Sequence, residues 1–322
     1  MGNGYYHIGQ YQKAIECHRK ELEISEELGD KDGVGNAFGK LGCAYNNIGQ
    51  NKKASECHCE HLVISGELGN KDGVGKAFAN LGNTFNNVGQ YQTAILCHHN
   101  DLEISEELGD EGGVGRAYGN LGNDYEKIGQ YQKAIECIRK HLEIAEKLED
   151  KLGVGTAYAN LGNCYYELGK HKEAIVFVDR SLQIYKEIEY ICGKAIAEQL
   201  LGIFHEKDDD GVSSSFFAQS ILSYHSIRRN GIYEDKNNTS LSNLSNHIHK
   251  RLFLNLLNLK QVKAALLISD AGKAKALFDL TRTSVDVVLD STLEDNYTIP
   301  LQAISDDPLS KANEKFLYDA LS

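Results

Sequence analysis

Apolar residues in the first half of the chain are spaced as on the buried faces of helices. Within residues 33–68 they fall into two sets, each with the period of about 3.6 residues that an α-helix has. The first set is Ala37, Phe38, Leu41 and Tyr45. The second set of positions holds Ala54, Cys57, His58, Leu62, Ile64, Ser65 and Leu68, with His58 and Ser65 as its two polar members. Gly49 separates them, and glycine is common just past a helix end. The pattern predicts a hairpin of two antiparallel helices, opened by Gly33 and followed by a turn over residues 69–73.

This hairpin recurs with a fixed step of 40 residues. The step is kept by the Leu-Gly pairs that begin at Leu41, Leu81, Leu121, Leu161 and Leu201, and by Ala14, Ala54, Ala94, Ala134 and Ala174. A glycine in the middle of a helix costs about 1 kcal/mol against alanine, so its recurrence indicates close contact with another helix. A period in this range indicates a solenoid whose units pack on their neighbours. We expect such a chain to offer a long surface to partners.

The repeated positions resemble the tetratricopeptide repeat (TPR). That family carries an aromatic residue, Leu-Gly and a second aromatic on its first helix, then Ala and a large residue on its second. One unit here reads Phe38, Leu41-Gly42, Tyr45, Ala54 and His58. The resemblance implies an all-α fold, a right-handed superhelical solenoid of about six antiparallel helix pairs. The period exceeds the usual roughly 34 residues and the terminal Pro is missing, differences that we assign to longer helices and a longer turn between units.

The chain also resembles the 40-residue TPR subclass found in Pins-like polarity adaptors and in TPR–CHAT proteins related to tetratricopeptide repeat protein 28. Residues 262–280 are similar to the helix pair that closes the array in TPR–CHAT proteins. We therefore expect a TPR array over residues 1–206, a divergent helical closing region over 207–283, and a tail or the start of a missing domain over 284–322. The caspase-like CHAT domain does not fit in that tail, and Tyr5 falls inside a first helix, so we expect a fragment.

Repeat identity fades after Tyr185. An acidic turn at residues 208–211 interrupts the pattern. Three further helices are predicted beyond it, over about 214–229, 241–259 and 261–281.

The charge of the chain narrows the class of partner. The formal net charge is −12, which argues against nucleic acid and against anionic membranes, because both are bound through clustered Lys and Arg. No apolar run approaches the ~20 residues of a membrane-spanning helix, and the first residues lack the pattern of a signal peptide.

The eight cysteines include a column at one repeat position, which we expect to be buried and too widely spaced for disulfides. We expect a cytoplasmic protein whose partners are proteins or peptides, with its oligomeric state left open.

Histidine and cysteine clusters raise the question of a metal site, but their spacing favours packing. One repeat position holds His18, His58, His98, Ile138 and Val178 in successive units, so we expect this column to fill a slot in the core. Cys57 and His61 share a helical face, but they supply two ligands where zinc takes four. The recurring Gly-x-Gly lacks the strand and third glycine of a dinucleotide fingerprint. We expect no metal and no cofactor.

Acidic pairs such as Glu26-Glu27 and Glu106-Glu107 fall on the second helices, with lysines at helical spacing. Such charges are typical of a solvated face rather than of general acid–base catalysis. No Ser-His-Asp or Cys-His arrangement can be assembled from the sequence. We therefore expect a protein that is not an enzyme.

A polar column on the first helices carries the clearest functional signal. Asn-Leu-Gly-Asn recurs in three units, which places the asparagines on a different stripe from the packed Leu and Gly. In TPR arrays the first helices line the groove, so the resemblance puts these amides there, where they can hydrogen-bond an extended peptide. Nearby cations would favour acidic ligands. The alternative is a structural ladder of Asn–Asn bonds. The predicted peptide-binding residues are Lys76, Asn80, Asn83, Arg116, Asn120, Asn123, Asn160 and Asn163.

The carboxylate clamp of some chaperone-binding TPR domains needs lysine at positions that hold Gly39, Ala79, Gly119 and Ala159 here. We therefore do not expect that function. The sequence favours a scaffold or adaptor that binds extended peptide segments in the groove. Two alternatives stay open: a Pins-like signalling adaptor in cell polarity or division, and the recognition array of a TPR–CHAT protease whose catalytic domain is missing.

Overall fold

The described part of the chain consists of α-helices and short loops. The computed structural model describes residues 2–206 and 210–229, together with 248, 250–252, 254–256 and 258. The helices are α1 (Gly2–His7), α2 (Tyr11–Leu28), α3 (Lys31–Asn47), α4 (Asn51–Glu67), α5 (Lys71–Asn87), α6 (Tyr91–Leu108), α7 (Glu111–Lys127), α8 (Tyr131–Lys147), α9 (Lys151–Glu167), α10 (His171–Glu187), α11 (Ile191–His205) and α12 (Asp210–Arg229). None of these residues is in a strand. Consecutive helices pack as antiparallel pairs, which confirms the predicted all-α solenoid.

The 40-residue period is made of two 17-residue helices and two three-residue loops. Residues 48–50 connect α3 to α4, and residues 68–70 connect α4 to α5. Gly49 and Gly69 adopt φ values of 75° and 65°, the left-handed conformation in which many helices end. Longer helices thus account for the longer period. The prediction of a longer turn over residues 69–73 was wrong, because α5 has already begun at Lys71.

Side-chain caps explain why α3 and α5 begin earlier than predicted. α3 begins at Lys31 rather than at Gly33. The Gly33 amide donates a hydrogen bond of 3.0 Å to the Asp30 carboxylate, and the Gly73 amide donates one of 2.9 Å to the Asn70 side chain. Such a cap satisfies one of the free amides in the first turn of a helix. The recurring Gly-x-Gly therefore lies inside a helix and not in a turn between units.

The central glycine of each first helix makes room for the large residue of the second helix. An added Cβ at Gly122 would lie 2.6 Å from Cγ1 of Ile138, far inside the optimal separation of two carbon atoms. The same contact pairs Gly42 with His58, Gly82 with His98, and Gly162 with Val178. The exposed fraction is 0% for His58 and 1% for His98. The histidine column therefore fills a slot in the core, as the sequence predicts.

Exposed ion pairs join the start of a first helix to the end of its second helix. The pairs are Lys31–Glu67, Lys71–Glu107 and Lys151–Glu187, with Nζ–Oε distances of 3.3, 2.7 and 2.5 Å. In the unit formed by α7 and α8 the charges are reversed, with Glu111 on the first helix and Lys147 on the second. Glu107 thus lies on a solvated face, as the sequence predicts.

Two further predictions concern the burial of the repeated cysteines and the length of apolar helices. All eight cysteines are free. Of the repeated cysteines, Cys97 is buried, whereas Cys17, Cys57 and Cys137 are only half-buried, so the predicted burial is complete at one position. No described helix is long and apolar enough to cross a bilayer.

The described residues divide into two compact units. The first contains residues 2–197 and 226–229; the second contains 198–206, 210–225 and the described residues from 248 to 258. In the second unit the glycine contact recurs, because an added Cβ at Gly202 would lie 2.7 Å from the ring of Phe217. The Ser213 hydroxyl donates a hydrogen bond of 2.7 Å to the Gly202 carbonyl.

Several predictions concern residues of the second unit or residues outside the described part of the chain. α12 begins at Asp210, earlier than the predicted residue 214. The described residues from 248 to 258 are helical, in line with the helix predicted over 241–259. The helix predicted over 261–281, with its CHAT-like closing pattern, and the tail over 284–322 lie outside the described residues.

Candidate functional site

A groove with a volume of about 820 Å³ runs along the first helices α3, α5, α7 and α9. The 40-residue step brings equivalent side chains into register along it. Of the predicted site residues, Lys76, Asn80, Asn83, Arg116, Asn120, Asn123 and Asn160 line this groove. Asn163 lines an adjoining cavity of about 490 Å³, which four of the same asparagines share. The structure therefore brings all eight predicted residues to one continuous surface.

The asparagines present their amides to the groove because their neighbours are packed. Between Asn80 and Asn83, Leu81 and Gly82 are buried. Asn83 is exposed, and Asn80 is partly exposed. The sequence prediction of two separate stripes is thus correct.

Among the predicted asparagines, one pair of side-chain amides is hydrogen-bonded between adjacent units. Asn160 donates to Asn123 at 2.8 Å. The side-chain amides of Asn80, Asn83 and Asn163 have no hydrogen-bond partner among the described residues, and the same holds for Asn120. Among the predicted asparagines an Asn–Asn ladder therefore accounts for one pair only; outside that set, Asn87 donates to Asn46 at 3.1 Å.

The groove cations are paired with acids of the chain itself. Lys76 Nζ lies 2.6 Å from Asp72, and Arg116 lies 3.7 Å from Asp110. All four of these side chains are largely exposed, so each pair is worth only about 0–1 kcal/mol. The predicted positive charge is present in the groove, but it is partly offset.

Side chains from the second helices also reach the groove, which the sequence analysis did not anticipate. We call His61, Asp101, His141 and Ser181 the inner column, since they occupy one position of α4, α6, α8 and α10. The first three line the groove. Small residues on the first helices open the way: an added Cβ at Gly39 would lie 3.0 Å from His61 Nδ1.

Burial shifts the titration of two residues of the inner column. The exposed fraction is 6% for His61 and 4% for Asp101. Burial lowers the pKa of His61, with help from the Lys76 charge. Burial raises the pKa of Asp101 to about 6, although His98, Arg116 and a hydrogen bond from Ser105 oppose the shift. Burial removes the water that would stabilise each charged form.

A buried polar cluster lies beside the groove. His98 Nδ1 lies 2.6 Å from one Asp124 oxygen, and Asn86 donates to the other at 2.5 Å. His58 has no such partner: both of its ring nitrogens are buried and unbonded, and burial lowers its pKa to about 4. The described residues hold no group of three or more His, Cys, Asp or Glu side chains that could hold a metal ion.

Helix pairs stacked in register along a polar groove define a helical-repeat scaffold, a class of protein that works by binding other proteins. Within that class the chain belongs to the tetratricopeptide repeat family. The sequence profile described as "Tetratricopeptide repeat" matches residues 1–64, 73–147 and 113–187, which together exceed half of the chain. The protein is therefore a TPR scaffold whose partners are proteins. Comparison with curated proteins finds no significant match.

Solved structures share the fold at low sequence identity. A Rap protein complexed with competence and sporulation factor has a TM-score of 0.63 at 16% identity, covering 86% of this chain and 74% of that one. Aspartyl phosphate phosphatase F from Bacillus subtilis has a TM-score of 0.62 at 16% identity, covering 93% and 72%. A STAND protein with a tetratricopeptide repeat sensor from Pyrococcus horikoshii has a TM-score of 0.61 at 16% identity, covering 88% and 42%. At this identity the likeness concerns the fold alone.

Proposed function

We propose that this TPR protein is an adaptor that holds extended peptide segments of its partners in the groove. The observation that carries the proposal is the repetition of amides without partners at equivalent positions, namely Asn80, Asn83, Asn120 and Asn163. An extended peptide carries one donor and one acceptor per residue, and a side-chain amide offers both. A column of amides can therefore follow a peptide backbone with little demand on its sequence.

The packing beneath the groove supports the same proposal. Gly82 lies against the buried His98 ring, and Gly122 lies against Ile138. These contacts fix the first helices, and hence the amides between them, before any ligand arrives. A rigid groove leaves only the ligand to be ordered on binding, which lowers the entropic cost of binding.

We extend the proposal to segments that carry acidic residues. Lys40, Lys76 and Arg116 line the groove. Lys76 is 59% exposed in its pair with Asp72, and such an exposed pair exchanges partners at little cost. Ligand carboxylates can therefore take the place of Asp72 or Asp110 beside these cations.

An affinity purification with mass spectrometry tests the groove. The bait is the wild-type chain beside a variant with Asn80, Asn83, Asn120 and Asn123 changed to Ala. A matched control changes four exposed amides of the second helices, Gln12, Gln92, Asn100 and Gln132, to Ala. We expect proteins that are captured by the wild type and the control but lost from the groove variant. An identical partner list for all three baits contradicts the proposal; circular dichroism checks that each bait is folded.

We also propose membership of the 40-residue TPR subclass, with the array over 1–206, a closing region over 207–283 and a tail over 284–322 in the cytoplasm. The 17-residue helices that build the period support this grouping. A Pins-like signalling adaptor and the recognition array of a TPR–CHAT protease are the two roles that it offers. The full-length transcript separates them, because a downstream region encoding a His-Gly and Cys pair supports the protease and its lack supports the adaptor.

A further inference from the structure

Near-identical units differ at two positions that reach the groove. The asparagine pair is unchanged over three units, at residues 80 and 83, 120 and 123, and 160 and 163. A first-helix position varies as Asn36, Lys76, Arg116 and Thr156, and the inner column varies as His61, Asp101, His141 and Ser181. A bound peptide has a uniform backbone and variable side chains. The constant amides therefore suit the backbone, and the variable positions suit the side chains.

Asp101 differs from its neighbours in the inner column by being an acceptor only. Nδ1 of His141 lies 2.8 Å from the Gly115 carbonyl, and the Ser181 hydroxyl donates to the Gly155 carbonyl at 2.8 Å. Both side chains thus use a donor to bond the adjacent first helix. An ionised carboxylate has no donor, and Asp101 sits against the equivalent Gly75, with Oδ1 3.5 Å from an added Cβ there.

Arg116 acts on the charge of Asp101 through space but forms no ion pair with it. Asp101 is 4% exposed, and its carboxylate forms no ion pair among the described residues. Ser105 on its own helix donates a hydrogen bond, while His98, Arg116 and Asp110 are the titratable groups around it. His98 is bonded to Asp124, and the carboxylate nearest to Arg116 is that of Asp110, at 3.7 Å. A buried carboxylate without an ion-pair partner would be stabilised by a ligand cation placed beside it.

We propose that Asp101 forms a subsite that binds one lysine or arginine side chain of the peptide in the groove. This inference rests on the proposed function. The ligand cation would lie beside Asp101, which lines the groove. Because a ligand carboxylate at this point would meet Asp101 itself, the subsite discriminates by the sign of the charge. An otherwise acidic segment is then fixed in register by a single basic residue.

The experiment is a selection of random displayed peptides on the full chain. We expect the recovered peptides to share a lysine or arginine at one fixed position. Their affinity is then measured for the wild type, for Asp101→Asn and for Glu103→Gln, an exposed acid on the same helix. Asp101→Asn keeps the size of the side chain and an oxygen for Ser105. We expect it to weaken binding about tenfold or more, and Glu103→Gln to leave binding unchanged.

A change in the peptide gives the second arm, with the protein unaltered. Replacing the shared lysine or arginine by glutamine should weaken binding to the wild type as much as Asp101→Asn does. The same replacement should cost nothing further in the Asp101→Asn variant, since the two groups form one interaction. Equal losses for Asp101→Asn and Glu103→Gln would indicate a long-range charge effect and overturn the subsite.

The outcomes separate the two proposals. One outcome is that the peptides lose binding when the four groove asparagines become Ala, yet bind Asp101→Asn as well as the wild type. This outcome overturns the subsite and leaves the groove function standing. Recovery of no peptide, or of peptides that are indifferent to the asparagine changes, overturns both.

Discussion

His98 Nδ1 lies 2.6 Å from Asp124 Oδ2, and both side chains are buried. His98 belongs to α6 and Asp124 to α7, so the contact joins the second helix of one unit to the first helix of the next. Asn86 of α5 donates to the other carboxylate oxygen. One carboxylate thus connects three consecutive helices.

Changing Asp124 to Ala should destabilise the array by about 3–5 kcal/mol, because it leaves a buried ring without its partner. Urea unfolding of the variant and the wild type measures the difference. The next unit supplies the rescue, since Ile138 and Cys164 occupy the positions of His98 and Asp124. The double variant His98→Ile with Asp124→Cys should recover most of the loss. Equal stability of the single and double variants would show that the pair is not coupled.

The free energy of unfolding should fall at low pH because His58 is buried in the folded chain. Its pKa is lowered by burial from 6.5 to about 4, so the unfolded chain binds more protons than the folded chain between these values. The free energy of unfolding therefore falls as the pH drops through this window, by about 3 kcal/mol in all. Replacing His58 by Ile, the residue at the equivalent position 138, should remove that part of the pH dependence. Parallel pH profiles for the two proteins would refute this assignment.

Alanine at two helical glycines should have opposite effects. In Gly122→Ala the new Cβ meets Cγ1 of Ile138 at 2.6 Å, and overpacking of this kind costs about 1–3 kcal/mol. In Gly66→Ala the new Cβ meets nothing within 4 Å, and the variant should gain about 0.5–1 kcal/mol from helix propensity. Thermal unfolding followed by circular dichroism measures both. A gain in both variants would mean that α7 and α8 are less closely packed than described.

Asp101→Asn should stabilise the free protein at neutral pH. Burial raises the pKa of the Asp101 carboxyl from 3.8 to about 6, so the folded chain binds more protons than the unfolded chain between these values. Wild-type stability therefore falls as the pH rises through this window, and the asparagine variant escapes the fall. The melting temperature of the variant minus that of the wild type should increase with pH across the window. A difference that is constant with pH would count against a titrating Asp101.

The sequence predicted the helix pairs and the amide column because both follow from periodicity. Leu81 and Gly82 recur every 40 residues, and one face of a helix must pack if the other is polar. The inner column was missed, because His61 and Asp101 lie on second helices, where repetition indicates packing more readily than access to a groove. The available signal was twofold: small residues such as Gly39 on the facing helix, and a position that varies between otherwise similar units.

The starts of α3 and α5 also differ from the prediction, because side-chain caps set them. Asp30 and Asn70 stand just before their helices and accept hydrogen bonds from the amides of Gly33 and Gly73. The glycines suggested an open turn, but the capping side chain carries the information about the helix start. Reading the acid or amide before each Gly-x-Gly would have placed the boundary correctly.

The reversed ion pair of the unit formed by α7 and α8 has a consequence for assembly of the chain. Repeats this similar can mispair during folding, with a helix of one copy docking on a helix of another. If α7 paired with α4 or α6 in place of α8, as the first helix of their unit, Glu111 would face Glu67 or Glu107 instead of Lys147. Each such encounter sets like charges against each other, at a cost of up to about 1 kcal/mol on an exposed surface. The reversed charges thus disfavour pairing of α7 with the second helix of another unit. They favour the native pairing of α7 with α8 during folding.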